Sequence, residues 1–591
     1  MLDLKIKGGT IIDGSGAEGY SADVGVKDGL IVETGSITQD ALETLDAEGA
    51  IVTPGFVDIH THYDGQITWD ETLSPSLYNG VTTCVMGNCG VGFAPVKKGE
   101  EERLVDLMEG VEDIPGTALS EGVRWGWTSF QDYMNALDLM PHSIDYLVQV
   151  PHDPVRMFVM GARAESNEQA TENDIAAMRD LVRQALEAGA AGFSTGRTDN
   201  HRTAKGRWTP SSEASLRELT GIAEAFNGLS HGVIQVVSDF DLLRNPSRFD
   251  EEFDLIESMA AATQKPLSMT WLQREPGAGQ WKLIKDRAEK ANQRGLNMKL
   301  QTAARAIGVI NGLDASFHPF MGFPGYKSIA HLPLTERATR MRDPQLKSRI
   351  LAEKSEKLAG DGTAIPPLVD ILLSQIDLLA ARMFPLDQEL DYEPEISKSM
   401  LARAKMSGVS PIEAIYDYLA EGDGGNLIYF PIFNYGSGSL EDLMSMLNHP
   451  LALASLSDAG AHVGTVCDAS FPTSMISFWT RDRVRGPKLA LTKSIEMLTS
   501  RNARHLGLTD RGLLKTGLKA DLNVFDYRNL KLRLPQLVRD LPAGGKRFIQ
   551  RSDGYVATIV SGNVVSRNGQ ITEERPGRLV RLNQSRRQGH D

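Results

Sequence analysis

The order of hydrophobic and polar positions divides the chain into distinct textures. Residues 1 to about 50 carry short apolar runs, Leu4-Lys5-Ile6, Thr10-Ile11-Ile12, Asp23-Val24-Gly25-Val26 and Leu30-Ile31-Val32, set apart by turns bearing Gly and Asp. Such runs predict short strands. The same texture returns at 520–525 and 555–565. Because chain ends commonly lie close together, residues 1–54 and 506–591 are expected to pair into one small composite β-sandwich domain.

Between these ends, apolar strands alternate with longer amphipathic stretches. The first strand is opened by Ile51-Val52-Thr53-Pro54-Gly55-Phe56-Val57-Asp58-Ile59, and further candidates lie at 81–86, 144–150, 191–194, 233–237, 266–270, 296–300 and 451–456. The clearest helix carries an apolar stripe of Ile175, Met178, Leu181, Val182, Ala185 and Leu186, with Gly189 placed to end it. Eight strand and helix units predict an α/β fold, a distorted (β/α)8 TIM barrel over residues 55–505, with its active site at the carboxyl ends of the strands. Residues 303–445 exceed what a minimal barrel needs. A structureless loop of that length is disfavoured, so the segment reads as an insertion with its own helices, partly covering the mouth. It serves equally as a substrate lid, a surface subdomain or a contact in a homo-oligomer. The Arg-rich stretch from Arg578 to Asp591 is expected to be a loosely ordered terminus.

Composition changes this picture little. At 591 residues, 41% hydrophobic and 24% charged, the chain is an ordinary globular sequence long enough for a barrel with insertions. Its 62 basic and 77 acidic residues give a net charge of −15, which disfavours nucleic acid and anionic membrane as partners. Cys84, Cys89 and Cys467 are too few for a disulfide framework, which fits a reducing cytoplasm. The first residues lack the apolar core of a signal peptide, and no apolar run approaches membrane-spanning length.

The candidate chemistry sits at strand ends. His60 and His62 are spaced i, i+2 on an extended segment, so both imidazoles face one side and can reach one cation. Cys89, in Met86-Gly87-Asn88-Cys89-Gly90, follows the second strand, where flanking glycines allow close approach to a metal. Asp458, in Ser457-Asp458-Ala459-Gly460-Ala461-His462, follows the eighth strand, placed to bind a metal and to take a proton from water. A turn or helix-cap role is the alternative for Asp458, and a small core residue for Cys89. Barrel closure would bring these three strand ends together, and mixed N, S and O donors suit Zn²⁺. Two further strand-end residues are candidates for substrate binding. His152 follows the third strand and could hydrogen-bond substrate, ligate a metal or be structural, and Arg197, after the fourth, could clamp a carboxylate or form a salt bridge. His142 and His231 precede strands and read as structural, while His318, His331, His449, His505 and His590 carry no chemical argument.

His60-Thr61-His62 after Pro54-Gly55-Phe56-Val57-Asp58, the flanking β-segments and Asp458 resemble the metal-dependent amidohydrolase superfamily. Asp64-Gly65-Gln66, Gly80-Val81-Thr82-Thr83, Gly87-Asn88-Cys89-Gly90 and Ser457 to His462 resemble, more narrowly, the N-acyl-D-amino-acid deacylase family. The likeness covers nearly the whole chain. It implies a zinc-dependent hydrolase of a C–N amide bond in a small-molecule substrate, with His60, His62 and Cys89 as ligands and Asp458 as ligand and general base. The sequence departs from that family where two more histidine ligands are usual, at the ends of the fifth and sixth strands. Those places read Val236-Val237-Ser238-Asp239 and Ser268-Met269-Thr270-Trp271-Leu272-Gln273. The departure predicts one well-occupied ion rather than two. It also motivates two alternatives: a mononuclear hydrolase or deaminase of a cyclic amide, imide or amidine, and a non-catalytic barrel that has lost its metal.

Overall fold

The computed structural model describes residues 1–242, 244–274, 277, 279–359, 367–387 and 390–583. Eight parallel strands follow one another in chain order around the barrel: Phe56–Asp58, Val81–Met86, Asp145–Pro151, Gly192–Arg197, Val233–Ser238, Leu267–Thr270, Met298–Thr302 and Ala452–Ala454. Their residues are almost all buried, as expected of parallel strands with a packed interior and helices outside. The helix read from the 175–186 stripe spans Glu172–Glu187. A reciprocal cap between Thr171 and Asp174 starts it, and Gly189, at φ +107°, turns the chain just beyond its end.

The seam between the first and eighth strands is closed by the segments that carry the candidate chemistry. The His62 N–H donates to Ala459 O at 2.8 Å, and Asn502 Nδ2 donates to both Val57 O (2.7 Å) and Ala454 O (2.9 Å). Ser457 Oγ donates to the Asp58 carboxylate across the same seam. The carboxyl ends of these strands are therefore pinned together.

The opening apolar run is two strands rather than one. Ile51–Pro54 belongs to the β-domain, between Leu2–Ile11 and Leu522–Phe525, and Phe56–Asp58 begins the barrel. The break falls at Gly55, where a Cβ would lie 2.1 Å from Thr82 Oγ1, so only glycine lets the chain pass. The β-domain is a nine-stranded sheet drawn from both ends of the chain. Its core is aliphatic, including Leu4, Ile6, Val24, Val52, Leu522 and Ile559.

Three further features complete the fold. The insertion builds an antiparallel sheet of Ile307–Asn311, Leu427–Phe433 and Phe384–Leu386, and its helices enclose a separate core around Phe320, Tyr326, Met341 and Tyr416. Between the β-domain strands Leu522–Phe525 and Tyr555–Val560, the chain makes an excursion that sequence reading assigned wholly to the β-domain. Its hairpin, Gln536–Val538 with Arg547–Ile549, docks on the barrel, where Phe548 N–H donates to Val463 O at 2.7 Å. Of the Arg-rich terminal stretch, residues 578–583 are described. Residues 576–583 strap the third strand's amino end, with Leu579 and Leu582 buried and Val580 N–H donating to Tyr146 O at 2.8 Å. The rest of that tail, including His590, lies outside the described residues. Among those residues no helix is long and apolar enough to cross a membrane.

Candidate metal centre

His60 and His62 leave the first strand with both rings buried and their centroids 5.4 Å apart, edge to face. Gln301, at the end of the seventh strand, sets the first ring. Its Nε2 donates to Ser268 Oγ at 2.9 Å, leaving Oε1 to accept from His60 Nδ1 at 2.6 Å. That bond puts the His60 proton on Nδ1 and turns the Nε2 lone pair inward. His60 Nε2 then lies 3.2 Å from Cys89 Sγ and 3.4 Å from Asp458 Oδ1. On His62, Nε2 lies 3.8 Å from the same Asp458 oxygen, while Nδ1 lies 3.3 Å from Glu112 Oε1.

Cys89 reaches the cluster because its loop is folded tightly. Gly87 and Gly90 adopt left-handed φ of 78° and 82°, and Cβ atoms there would lie 2.2 Å from Gln149 O and 2.8 Å from Gly196 N. Cys89 itself takes φ 57°, and its N–H donates to Gln235 Oε1 at 2.7 Å. On the other side, Leu456, Asp458 and His462 all have positive φ, a concentration of strain that non-glycine residues adopt at functional sites.

The electrostatics have one dominant cause. Burial lowers the pKa of His60, and that of His62 further, and raises those of the Cys89 thiol and the Glu112 carboxyl well above their ordinary values. Asp64 and Asp58 are pushed up to about 8 and about 7 in the same way. His60, His62 and Cys89 offer ligand atoms within 4.8 Å of one another, and Asp458 adds an oxygen facing both imidazoles. Neutral imidazoles, a thiol that burial keeps protonated and the Asp458 carboxyl form a donor set that a divalent cation would hold, the sulfur as thiolate. The residues present fit a metal.

Sequence reading assigned no role to four neighbours of this centre. Glu112 ends the helix Glu101–Glu112 and carries no pattern that marks it. His462 Nε2 lies 3.7 Å from Glu112 Oε2, and the half-buried His201 is close enough to help depress His62. Gln301 is a strand-end polar residue whose position was the available signal. The fifth and sixth strands supply Gln235 and Ser268, which hold the Cys89 backbone and the Gln301 amide.

The two substrate-binding candidates are engaged elsewhere. Arg197 forms a fork with Glu252 at 2.8 and 3.0 Å and gives its remaining Nη1 to Ala214 O, so the structure makes it an internal ion pair. The ring nitrogens of His152 meet Thr195 Oγ1 at 2.9 Å and Glu218 Oε1 at 3.0 Å, and the ring is fully buried. Neither presents a free donor to a substrate. A second acidic cluster, Asp199, Asp239 and Asp241, also has oxygens within 4.8 Å of one another, but Arg244 pairs with Asp199 and Asp241, and Arg248 with Asp241.

A sequence profile described as the amidohydrolase family matches residues 43–566, nearly the whole chain. The chain belongs to the amidohydrolase family. That membership gives its reaction class, hydrolysis of carbon–nitrogen bonds. Curated relatives of this amidohydrolase include a D-aminoacylase of Alcaligenes xylosoxydans xylosoxydans, 26% identical over 590 residues, which cover 98% of this chain and 97% of the relative. An N-acyl-D-aspartate deacylase of the same organism is 26% identical over 582 residues, 98% of this chain and 95% of the relative. Among solved structures, D-aminoacylase superposes with a TM-score of 0.63 at 22% identity, covering 98% of this chain and all of the other. N-acyl-D-glutamate deacylase from Bordetella bronchiseptica, complexed with zinc and a phosphonate inhibitor, gives 0.61 at 23%, covering 98% and 99%. These likenesses establish the fold, a barrel with a β-rich partner domain.

Proposed function

We propose that this amidohydrolase cleaves the amide bond of a small N-acyl amino acid, using one zinc ion held by His60, His62, Cys89 and Asp458. The observation that carries the reading is the convergence of two imidazoles, a thiol and a carboxylate from three separate strand ends on one buried point. The relatives' names support the substrate class, and the zinc in the Bordetella enzyme supports the ion. Bound there, zinc would polarise the amide carbonyl as a Lewis acid and lower the pKa of water to ~7.

The side chains do the rest. Gln301 fixes the His60 tautomer, and Glu112 Oε1 stands 3.3 Å from His62 Nδ1 without a hydrogen bond. Asp458, whose side chain is 20% exposed where the others are buried, is the group that takes the proton from water and passes it to the leaving nitrogen. The three cysteines are unpaired and buried, in keeping with a reducing compartment such as the cytoplasm. The test is turnover of N-acetyl-D- and N-acetyl-L-amino acids with metal content measured on the same preparation. Chelation should abolish hydrolysis and zinc restore it. Undiminished hydrolysis by metal-free protein would contradict the proposal.

A further inference from the structure

The third, fifth and seventh strands of the barrel each bury one glutamine: Gln149, Gln235 and Gln301. Alternate strands of a barrel fill one layer of its interior, where bulky branched residues are usual. Three amides in that setting need partners, and each finds one on a segment that carries the metal centre. Gln301 Oε1 accepts from His60 Nδ1 at 2.6 Å, Gln149 Nε2 donates to Asn88 Oδ1 at 2.8 Å, and Gln235 Oε1 accepts from the Cys89 N–H at 2.7 Å. The hydrolytic scheme uses the first of these contacts. The other two meet on the loop that holds the thiol.

Cys89, at φ 57°, has a backbone conformation that a non-glycine residue keeps only when its surroundings impose it. Its neighbours are pinned by other strands. Asn88 Nδ2 donates to Thr61 O at 3.0 Å and to Val85 O at 2.9 Å. Ser194 Oγ accepts from the Gly90 N–H at 3.0 Å and donates to Gly87 O at 2.5 Å. Between these fixed points, the Cys89 N–H has Gln235 as its acceptor. Without that oxygen the N–H would be buried and unpaired, and rotation of the Asn88–Cys89 peptide plane would relieve it. Such a rotation takes Cys89 out of the left-handed region and swings its Cβ, so the sulfur leaves its place 3.2 Å from His60 Nε2.

We infer that Gln235 is the positioning residue that makes Cys89 a metal ligand, by accepting the Cys89 N–H from inside the barrel. The fifth strand, whose end carries no histidine, thereby serves the centre through the backbone of another strand's loop. The inference rests on the proposed ligand set, in which Cys89 binds the ion. Gln235 acts on where the sulfur stands, not on proton transfer.

The experiment titrates Co²⁺ into the full-length protein stripped of its own metal. It reads the near-ultraviolet thiolate-to-cobalt charge-transfer band per bound ion at saturating cobalt. Wild type should show the band, and Cys89→Ser should lack it. Gln235→Met, which keeps the length of the side chain but removes the acceptor, should lose most of the band. It should also weaken cobalt affinity by ~10-fold to 100-fold, the range for a residue that orients a metal ligand. Gln235→Glu, which keeps an oxygen for the N–H, should recover the band. If Gln235→Met does not fold, Gln235→Asn, which withdraws the oxygen by one methylene, takes its place. A band of wild-type strength in the Met or Asn variant, or a loss as complete in Glu as in Met, overturns the inference. Absence of the band from wild type overturns it together with the proposed ligand set. The expected pattern in a protein that hydrolyses no N-acyl amino acid would sink the hydrolase reading and leave the positioning role standing.

Discussion

The two ends of the barrel strands both bury polar side chains and resolve them in opposite ways. At the amino end, Asp145 Oδ2 accepts from Arg511 Nη1 at 2.6 Å and Lys519 Nζ at 2.8 Å, and Lys519 also meets Asp521 at 2.6 Å. Burial alone would raise the Asp145 pKa, but the two cations outweigh it and hold it at about 2. At the carboxyl end, the ion pairs of Asp458 and Glu112 among the described residues are with histidines, and no lysine or arginine joins them. There burial prevails, pushing the Cys89 thiol and the Glu112 carboxyl up and the His60 and His62 imidazoles down. One end carries its own counter-charges and holds two domains together. The other is arranged for a cation that is not a side chain. Depth of burial does not separate a structural cluster from a functional one; the source of the compensating charge does.

The comparison breaks most readily at Asp145. Asp145→Asn leaves Arg511 and Lys519 short of a buried partner and should cost about 3–5 kcal/mol of unfolding free energy with metal content unchanged. Because the folded pKa is depressed, the stability that Asp145 contributes is fully present above the ordinary carboxyl pKa of ~4 and is lost as pH falls through about 2. The variant should therefore show a flatter acid limb in denaturation measured against pH. A variant as stable as wild type would remove the structural half of the contrast.

At the other end the expected signature is reversed, with activity lost and stability kept. Asp458→Asn retains the shape but takes up no proton, so turnover should fall by ~10²-fold or more with little change in KM. Near-native turnover in a metal-loaded Asn variant would exclude the proton-transfer role. A smaller effect is expected from Gln301→Ala, which frees the His60 ring and should weaken metal affinity by ~10-fold to 100-fold without unfolding the barrel. Unaltered affinity in a metal titration would mean that the Gln301 contact is incidental.

Much of this arrangement was legible from residue order. Alternating apolar strands and a striped helix gave the barrel, and the i, i+2 histidines with Cys89 and Asp458 at strand ends gave the points that the structure brings together. Where the reading failed, the cause lay in contacts that residue order does not encode. Arg197 and His152 sit at strand ends as expected, yet Glu252 and Glu218, far along the chain, engage them. Glu112 reaches the centre from the last turn of a helix, with nothing in its neighbourhood to mark it. The excursion carrying the docked hairpin escaped notice because it leaves and re-enters the β-domain through short turn-rich segments that match the domain's own texture. The split at Gly55 follows from a contact with Thr82, across to the second strand.

The account's central claim is that one cation sits where the first, second and eighth strand ends meet. Anomalous diffraction at the zinc absorption edge, on crystals of protein purified with its native metal, tests it most directly. The account predicts one strong peak bounded by His60 Nε2, His62 Nε2, Cys89 Sγ and an Asp458 oxygen, with no second peak of comparable height near Gln235 or Ser268. Two equally occupied ions would contradict the single-ion reading, and absence of any peak from fully active protein would contradict the claim itself.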